Sequence, residues 1–207
     1  MRTVDLLRAA LMVFRVFPIN EKKVVITAYN GRRYSCNPKY LTEALAKTDA
    51  VTYYALKKNV AVELPSSVRR VGYRTISHFY HLMTAKYIVI NSTGVTDLLP
   101  YRKTQVLINT WHGGGYFKTI GNDFFVKDEQ RKNRDISGHN TSFFFASCEV
   151  FAKQLPGSMS VKEENVYRTG LPRNDMLFEK HEEIKDKVYK VFNIEWDKRI
   201  VLYARLP

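Results

Sequence analysis

A chain of 207 residues is long enough for one large domain or two small ones, and 45% hydrophobic with 13% aromatic residues excludes a wholly disordered polymer. Thirty-three Lys and Arg against 20 Asp and Glu give a formal charge of +13 and a pI near 9.7. That excess points to an anionic partner (nucleic acid, an acidic membrane surface or a phosphate-rich substrate) without choosing among them.

The chain opens with L-L-R-A-A-L-M-V-F-R-V-F-P-I, Leu6 to Ile19, which is too short for a ~20-residue membrane span and is interrupted by Arg8 and Arg15. It lacks a small-residue cleavage site, so it does not read as a secretory signal. At 100° per residue Asp5, Arg8 and Arg15 share one sector, leaving Leu6, Leu7, Ala10, Val13, Phe14 and Phe17 on a broad apolar face. Residues 1–19 therefore form an amphipathic helix that either docks on its own core or lies in a membrane interface, with Arg8, Phe14 and Arg15 as the membrane contacts in the second case.

After Pro18, strands alternate with helices. Lys22 to Tyr29 is a β-branched run closed by the turn pair Asn30-Gly31. N-P-K-Y-L-T-E-A-L-A-K-T follows, with Asn37 expected as N-cap and Pro38 at the first helical position. Val51 to Leu56 is a second strand, R-V-G-Y near Arg70 a short third, and Thr75 to Ala85 a helix. Tyr87 to Ser92 and Gln105 to Trp111 are two more buried strands, and Phe143 to Cys148 and Asn165 to Gly170 continue the series. The two cysteines, Cys36 and Cys148, lie far apart in apolar surroundings and are expected to be reduced core residues. Near-continuous apolar strands between helices predict an α/β fold: a Rossmann-like parallel sheet with helices on both faces, spanning residues 20–207.

Such folds bind ligands outside the carboxyl ends of their strands. Three polar segments fall there: Asn91-Ser92-Thr93-Gly94, the stretch N-T-W-H-G-G-G-Y-F-K, and G-L-P-R-N-D, Gly170 to Asp175. In the second, His112 sits between Trp111 and the glycines Gly113, Gly114 and Gly115. A histidine titrates near neutral pH and can act as a general base, while glycines let a ligand approach the main chain closely. An incidental histidine in a flexible loop is the competing reading. In the third, Arg173, Asn174 and Asp175 fall near a helix N-terminus able to hold a phosphate, or form an ordinary turn and cap.

The glycine cluster is neither a P-loop, since no Gly-Lys-Ser/Thr follows, nor a dinucleotide fingerprint, since Lys118 stands where the last glycine belongs. His78 and His81 share a helix at i, i+3 without further ligands nearby and read as packing or surface residues. Arg69-Arg70 and Arg131-Lys132-Asn133-Arg134 could contact phosphates, although such runs are usually solvated faces.

Taken together, I-N-T-W-H-G-G-G-Y-F-K-T-I-G-N-D, F-F-A-S-C-E-V-F-A-K, G-L-P-R-N-D and V-L-Y-A resemble the CDP-glycerol glycerophosphotransferase family of teichoic acid primases and polymerases. The match places the family's Trp-His-Gly, lysine and glycine on Trp111, His112, Gly113, Lys118 and Gly121, and its Gly-Leu-Pro-Arg-Asn-Asp turn on Gly170 to Asp175. The resemblance implies the N-terminal half of a GT-B-type transferase at the cytoplasmic face of the bacterial plasma membrane. It would pass glycerol phosphate or ribitol phosphate from CDP-glycerol or CDP-ribitol to a lipid-linked polyol-phosphate acceptor. His112 would be catalytic, and Trp111, Gly113, Gly114, Lys118, Ser92, Arg173, Asn174 and Asp175 would hold acceptor or phosphate, with no cofactor and no metal.

Many members carry Thr-Pro after Trp-His-Gly where this chain has Gly114-Gly115, a departure that bears on acceptor identity and on glycerol against ribitol. Val201 to Ala204 resembles the strand entering the family's nucleotide domain, and the sequence stops soon after at Pro207. The expectation is a chain without the donor-binding domain, inactive by itself. The alternatives are a basic nucleic-acid-binding module or a non-catalytic membrane-associated fragment. No RNP1, KH loop, helix-turn-helix cue or zinc finger supports nucleic-acid binding.

Overall fold

The computed structural model describes residues 3–113, 118–124, 127–179 and 181–203. The chain divides into two compact units, Met1–Asn174 and Asp175–Pro207. In the first unit, seven strands form one sheet among the described residues: β1 (Asn20–Ile26), β2 (Val51–Leu56), β3 (Arg69–Gly72), β4 (Ala85–Ile90), β5 (Val106–Asn109), β6 (Thr141–Phe145) and β7 (Val166–Tyr167). Their order is β3-β2-β1-β4-β5-β6-β7, and every neighbouring pair is parallel. The chain winds outward from β1 to β3, then returns to lay β4 on the other side of β1. The crevice where such a sheet takes ligands lies at that reversal, between the carboxyl ends of β1 and β4.

Helices cover the sheet on both faces, as the apolar runs predict. Val24 and Ile26 of β1 pack with Leu41 and Leu45 of α2 (Cys36–Leu45). Val25, one residue out of phase, packs instead with Leu82 and Met83 of α3 (Ile76–Thr84) and with Leu11 of α1 (Thr3–Leu11). Strand alternation sends successive side chains to opposite faces. Burying each such aliphatic contributes about 1.5–3 kcal/mol. At the far edge Phe144 of β6 packs on Phe151, Leu155 and Met159 of α5 (Glu149–Met159). Helix α4 (Asp128–Asn140) is tied to the turn after β4 by Asp97, which is 1% exposed. Its carboxylate accepts from Gly94 N–H (2.6 Å) and from the Ser137 hydroxyl, and burial raises its pKa to about 6 against those bonds.

Several boundaries differ from the sequence expectation for identifiable reasons. β5 ends at Asn109 rather than Trp111, because Trp111 turns into the left-handed region at φ 50°. Asn37 is not the N-cap of α2. Ser35 occupies that place without a side-chain cap bond, and the Asn37 carboxamide, fully buried, points its hydrogen bonds elsewhere. The cysteines are free, but neither is a core residue: Cys36 is half-buried at the start of α2 and Cys148 is exposed before α5. Residues 201–203 form no strand and are 85–88% exposed, with Ala204 outside the described residues. A strand needs a paired neighbour, and residues 201–203 pair with none of the described strands.

The N-terminal segment, α1 followed by a 3₁₀ turn at Met12–Val16, presents two different stripes. Leu7, Leu11 and Phe14 pack into the core, and Phe14 and Phe17 meet the Tyr80 ring edge-on at 5.9 and 5.3 Å. Arg8 donates to Leu98 O, and Arg15 to Pro100 O (2.8 Å) and Tyr101 O (3.2 Å). Of the three residues expected at a membrane, Phe14 thus turns inward and both arginines hold backbone carbonyls. Leu6, Val13 and Val16 remain 53%, 63% and 77% exposed. No helix among the described residues is long and apolar enough to cross a membrane.

In the second unit, α6 (Glu182–Val191) is followed by a turn in which the Tyr189 hydroxyl donates to Lys198 O (2.6 Å). Lys185 lies 4.5 Å over the Trp196 ring. Ile184, Val191 and Phe192 are exposed there.

His78 of α3 is wholly buried, its Nδ1 accepting Arg74 N–H (3.1 Å) while its own N–H is capped by Thr75 Oγ1 (3.2 Å). Burial, helped by neighbouring His81, lowers its pKa to about 4. A base depressed below its unfolded value of 6.5 must be protonated on unfolding in acid, so its stabilisation is present above pH 6.5 and is lost as pH falls toward 4. Between pH 7 and 4.5 the wild type should lose about 2.5 kcal/mol more stability than His78→Gln, measured by urea denaturation at each pH. Asp97 and His81 titrate in both proteins, so the difference isolates His78.

Candidate active site

Five of the seven non-glycine residues with positive φ among the described residues gather at the carboxyl edge of the sheet: Tyr29, Asn30, Cys36, Arg74 and Trp111. Such strain costs on the order of 1–3 kcal/mol per residue and persists only where the surroundings over-determine it. Here the surroundings are three buried asparagines: Asn91 and Asn109, which end the apolar runs of β4 and β5, and Asn37 in the first turn of α2. Asn91 Oδ1 accepts Tyr29 N–H (2.8 Å), joining the ends of β4 and β1 across the reversal in strand order. Asn109 Oδ1 accepts Trp111 N–H (2.9 Å) and turns the chain sharply out of β5. Asn37 Nδ2 donates to both Thr110 O and Trp111 O (2.9 Å each), and its Oδ1 accepts Arg173 N–H (3.3 Å).

The consequence is a fixed His112. Its ring lies 4.5 Å from that of Trp111 and 5.5 Å from that of Tyr29, and Nδ1 is 2.6 Å from Asn91 O. A carbonyl can only accept, so Nδ1 carries a proton and donates it, and the tautomer this bond selects has its lone pair on Nε2. Trp111 is itself anchored against Phe144, 5.9 Å between ring centres. A Cβ on Gly113 would stand 3.1 Å from Trp111 Nε1, so the indole's position over the main chain favours glycine there. Gly114 and Gly115, expected to admit the ligand, lie outside the described residues.

Arg173 closes the loop from the other side. One guanidinium nitrogen donates to His112 O (2.8 Å) and to Cys36 Sγ (3.2 Å). Burial raises the Cys36 thiol's pKa, but bonds from Tyr29, Asn37 N–H and Arg173 outweigh it and hold the thiol below its usual value. Tyr29 moves the opposite way, to about 12, through burial and its bond to that thiol. Among the residues singled out from the sequence, Trp111, His112, Gly113 and Arg173 are thus brought together. Ser92 follows Asn91 directly and is half-buried, while Lys118 and Asn174 are exposed. Asp175 is exposed in the second unit. At the G-L-P-R-N-D turn two of the main-chain donors expected for a phosphate are engaged, Arg173 N–H with Asn37 and Asn174 N–H with Leu171 O (2.8 Å). The three asparagines, Tyr29 and Cys36 were not among the expected site residues; the signal for them was asparagine repeated at the close of V-I-N-S, L-I-N-T and S-C-N-P.

A Rossmann-like parallel sheet with a histidine held at its carboxyl edge defines the chain as an α/β domain of the kind that takes ligands at that edge. The model of the CDP-Glycerol:Poly(glycerophosphate) glycerophosphotransferase family matches residues 9–205, and the chain belongs to that family. It is 28% identical over 96% of its length to the teichoic acid poly(glycerol phosphate) polymerase of Bacillus spizizenii, covering 54% of that protein. It is 26% identical over 97% of its length to the teichoic acid poly(ribitol-phosphate) polymerase of the same organism, covering 32% of it. The chain therefore spans about half the length, or less, of these relatives. Among solved structures, the wall teichoic acid polymerase TagF superposes with a TM-score of 0.75 at 21% identity over 87% of this chain and 46% of that one. A CDPG-soaked TagF variant gives 0.78 at 20% identity over 95% and 54%. At that identity the likeness shows the shared α/β fold.

Replacing Asn37 by Asp should test the clasp. A carboxylate would face two carbonyl oxygens in a fully buried site, and the loss should be about 3 kcal/mol of unfolding free energy. Guanidinium denaturation followed by tryptophan fluorescence measures it.

Proposed function

We propose that this chain forms the acceptor side of a polyol-phosphate transferase, in which His112 takes the proton of an acceptor hydroxyl. The observation that carries the reading is the Nδ1–H bond to Asn91 O, which leaves Nε2 as the base. In the reaction the hydroxyl oxygen bonds to phosphorus as the P–O bond to CMP breaks. The proton passes to Nε2, and CMP departs with the bonding electron pair. The donor is CDP-glycerol or CDP-ribitol, held by a second domain of the kind the family resemblance implies. The acceptor is a lipid-linked polyol phosphate. Basic side chains and main-chain N–H groups offset the charge on the transferring phosphoryl group.

His112→Gln keeps a donor for Asn91 O while removing the base. With the chain joined to a complete donor-binding domain, and with radiolabelled CDP-glycerol and a glycerol-phosphate acceptor, transfer should fall ~10² to 10⁴-fold. Near-normal transfer by that variant would sink the reading.

A lipid-linked acceptor places the protein at the cytoplasmic face of the membrane. In this reading the stripe Leu6, Val13 and Val16 enters the lipid interface while the Phe14 stripe holds the helix to the core. The triple variant Leu6→Ser, Val13→Ser, Val16→Ser should retain its fold and lose most co-sedimentation with anionic vesicles. Unchanged sedimentation would assign the segment to packing alone.

A further inference from the structure

The turns leaving β1, β2 and β3 each end in basic residues: Arg32 and Arg33 after β1, Lys57 and Lys58 after β2, and Arg74 after β3. Arg32, Arg33, Lys58 and Arg74 are exposed, and none of the ion pairs found among the described residues engages any of the five. Those pairs lie instead at the amino edge, as in Lys22–Asp49 and Lys86–Glu21, on helix surfaces or in later turns. Unpaired cations on three consecutive turns are a one-sided arrangement that the fold itself does not require.

The side chains between these cations connect them to His112. The Tyr73 hydroxyl donates to Asn30 Oδ1 (3.0 Å), tying the turn after β3 to the turn after β1. Burial raises the Tyr73 pKa, and a bond to Thr96 and the charges of Arg74 and Arg32 pull against that rise. Arg33 lies 5.9 Å over the Tyr29 ring, and Tyr29 is 5.5 Å from the His112 ring. Arg74 and Asn30 hold left-handed backbone, at φ 64° and 57°, so this line of turns shares the strain of the site. Strand order runs β3-β2-β1-β4-β5, so four strand spacings of ~4.8 Å separate the turn after β3 from the His112 loop, roughly 19 Å.

We infer that this row of turns is a track for a linear phosphodiester polymer, gripping several phosphates behind the hydroxyl that His112 engages. The inference rests on the acceptor being the polyol phosphate proposed above and adds that the chain reads acceptor length. A single phosphate would need one or two cations beside His112. A row reaching two strands beyond β1 suits a ligand with repeating negative charge, and its two tyrosines, Tyr29 and Tyr73, are half-buried and engaged with His112 and Asn30 rather than laid open for bases to stack on.

The test uses fluorescently labelled glycerol-phosphate oligomers of about two and eight units with the 207-residue chain, read by anisotropy. The eight-unit oligomer should bind about tenfold more tightly than the two-unit one. Arg32→Gln with Arg74→Gln should remove most of that advantage, leave two-unit binding within about twofold, and lower the slope of log affinity against log salt by roughly 0.7 per charge. Lys47→Gln with Lys103→Gln, exposed at the amino edge, should change neither. Equal loss in this control pair, or an affinity independent of length, would overturn the track while leaving two-unit binding to support the transferase reading. Binding of neither oligomer at low salt would overturn both. Tighter binding of single-stranded RNA of equal charge would replace the polyol phosphate by nucleic acid.

Discussion

The carboxamide of Asn37 is the contact on which the carboxyl edge depends. Its nitrogen holds the carbonyls of Thr110 and Trp111, and its oxygen takes the N–H of Arg173, so one side chain joins α2, the loop after β5 and the turn after β7. An amide can donate and accept at once, which neither a carboxylate nor an aliphatic of the same shape can do. In a water-excluded position each of these bonds is stronger than at the surface, and the cost of leaving its partner unmade is higher. Arg173 extends the same clasp to His112 O, and Asn91 fixes the imidazole from beneath. The histidine is therefore set by main-chain geometry on two sides before any ligand arrives.

That geometry explains why strain collects where it does. The sheet brings parallel strand ends together at one edge, and the strand order reverses there between β1 and β4. Leaving the sheet abruptly at Trp111, and entering α2 abruptly at Cys36, requires left-handed backbone at residues with side chains. The asparagine network supplies the bonds that hold those conformations. A relaxed loop in the same place would leave the imidazole without a fixed orientation.

Much of the fold was legible from sequence because the relevant signal is local. The run Val51 to Leu56 is a strand residue for residue, and Tyr87 to Ser92 and Gln105 to Trp111 mark β4 and β5 to within two residues. Their β-branched and aromatic residues leave little choice. That a polar turn carrying His112 follows the apolar run of β5 was legible too, because the run ends in N-T-W-H-G. Asn37 was not. Its position before proline is what an N-cap looks like, and only the arrival of strand β5 beside α2 gives its amide other partners. Cys148 was misread for a similar reason: an apolar neighbourhood in sequence says nothing about the helix start that carries it to the surface.

The bond from Arg173 N–H to Asn37 Oδ1 joins positions 136 apart in the chain, and those from Asn37 to Thr110 and Trp111 span 73 and 74. Loop-closure entropy must be met before contacts of that separation return anything, and topologies dominated by them fold slowly. During synthesis the amino-terminal strands and α2 emerge long before the segment that completes the clasp. The Asn37 oxygen waits, facing a place that nothing yet fills. The clasp on the histidine loop is thus complete only when the turn after β7 has been made, so its last bond spans nearly the whole first unit.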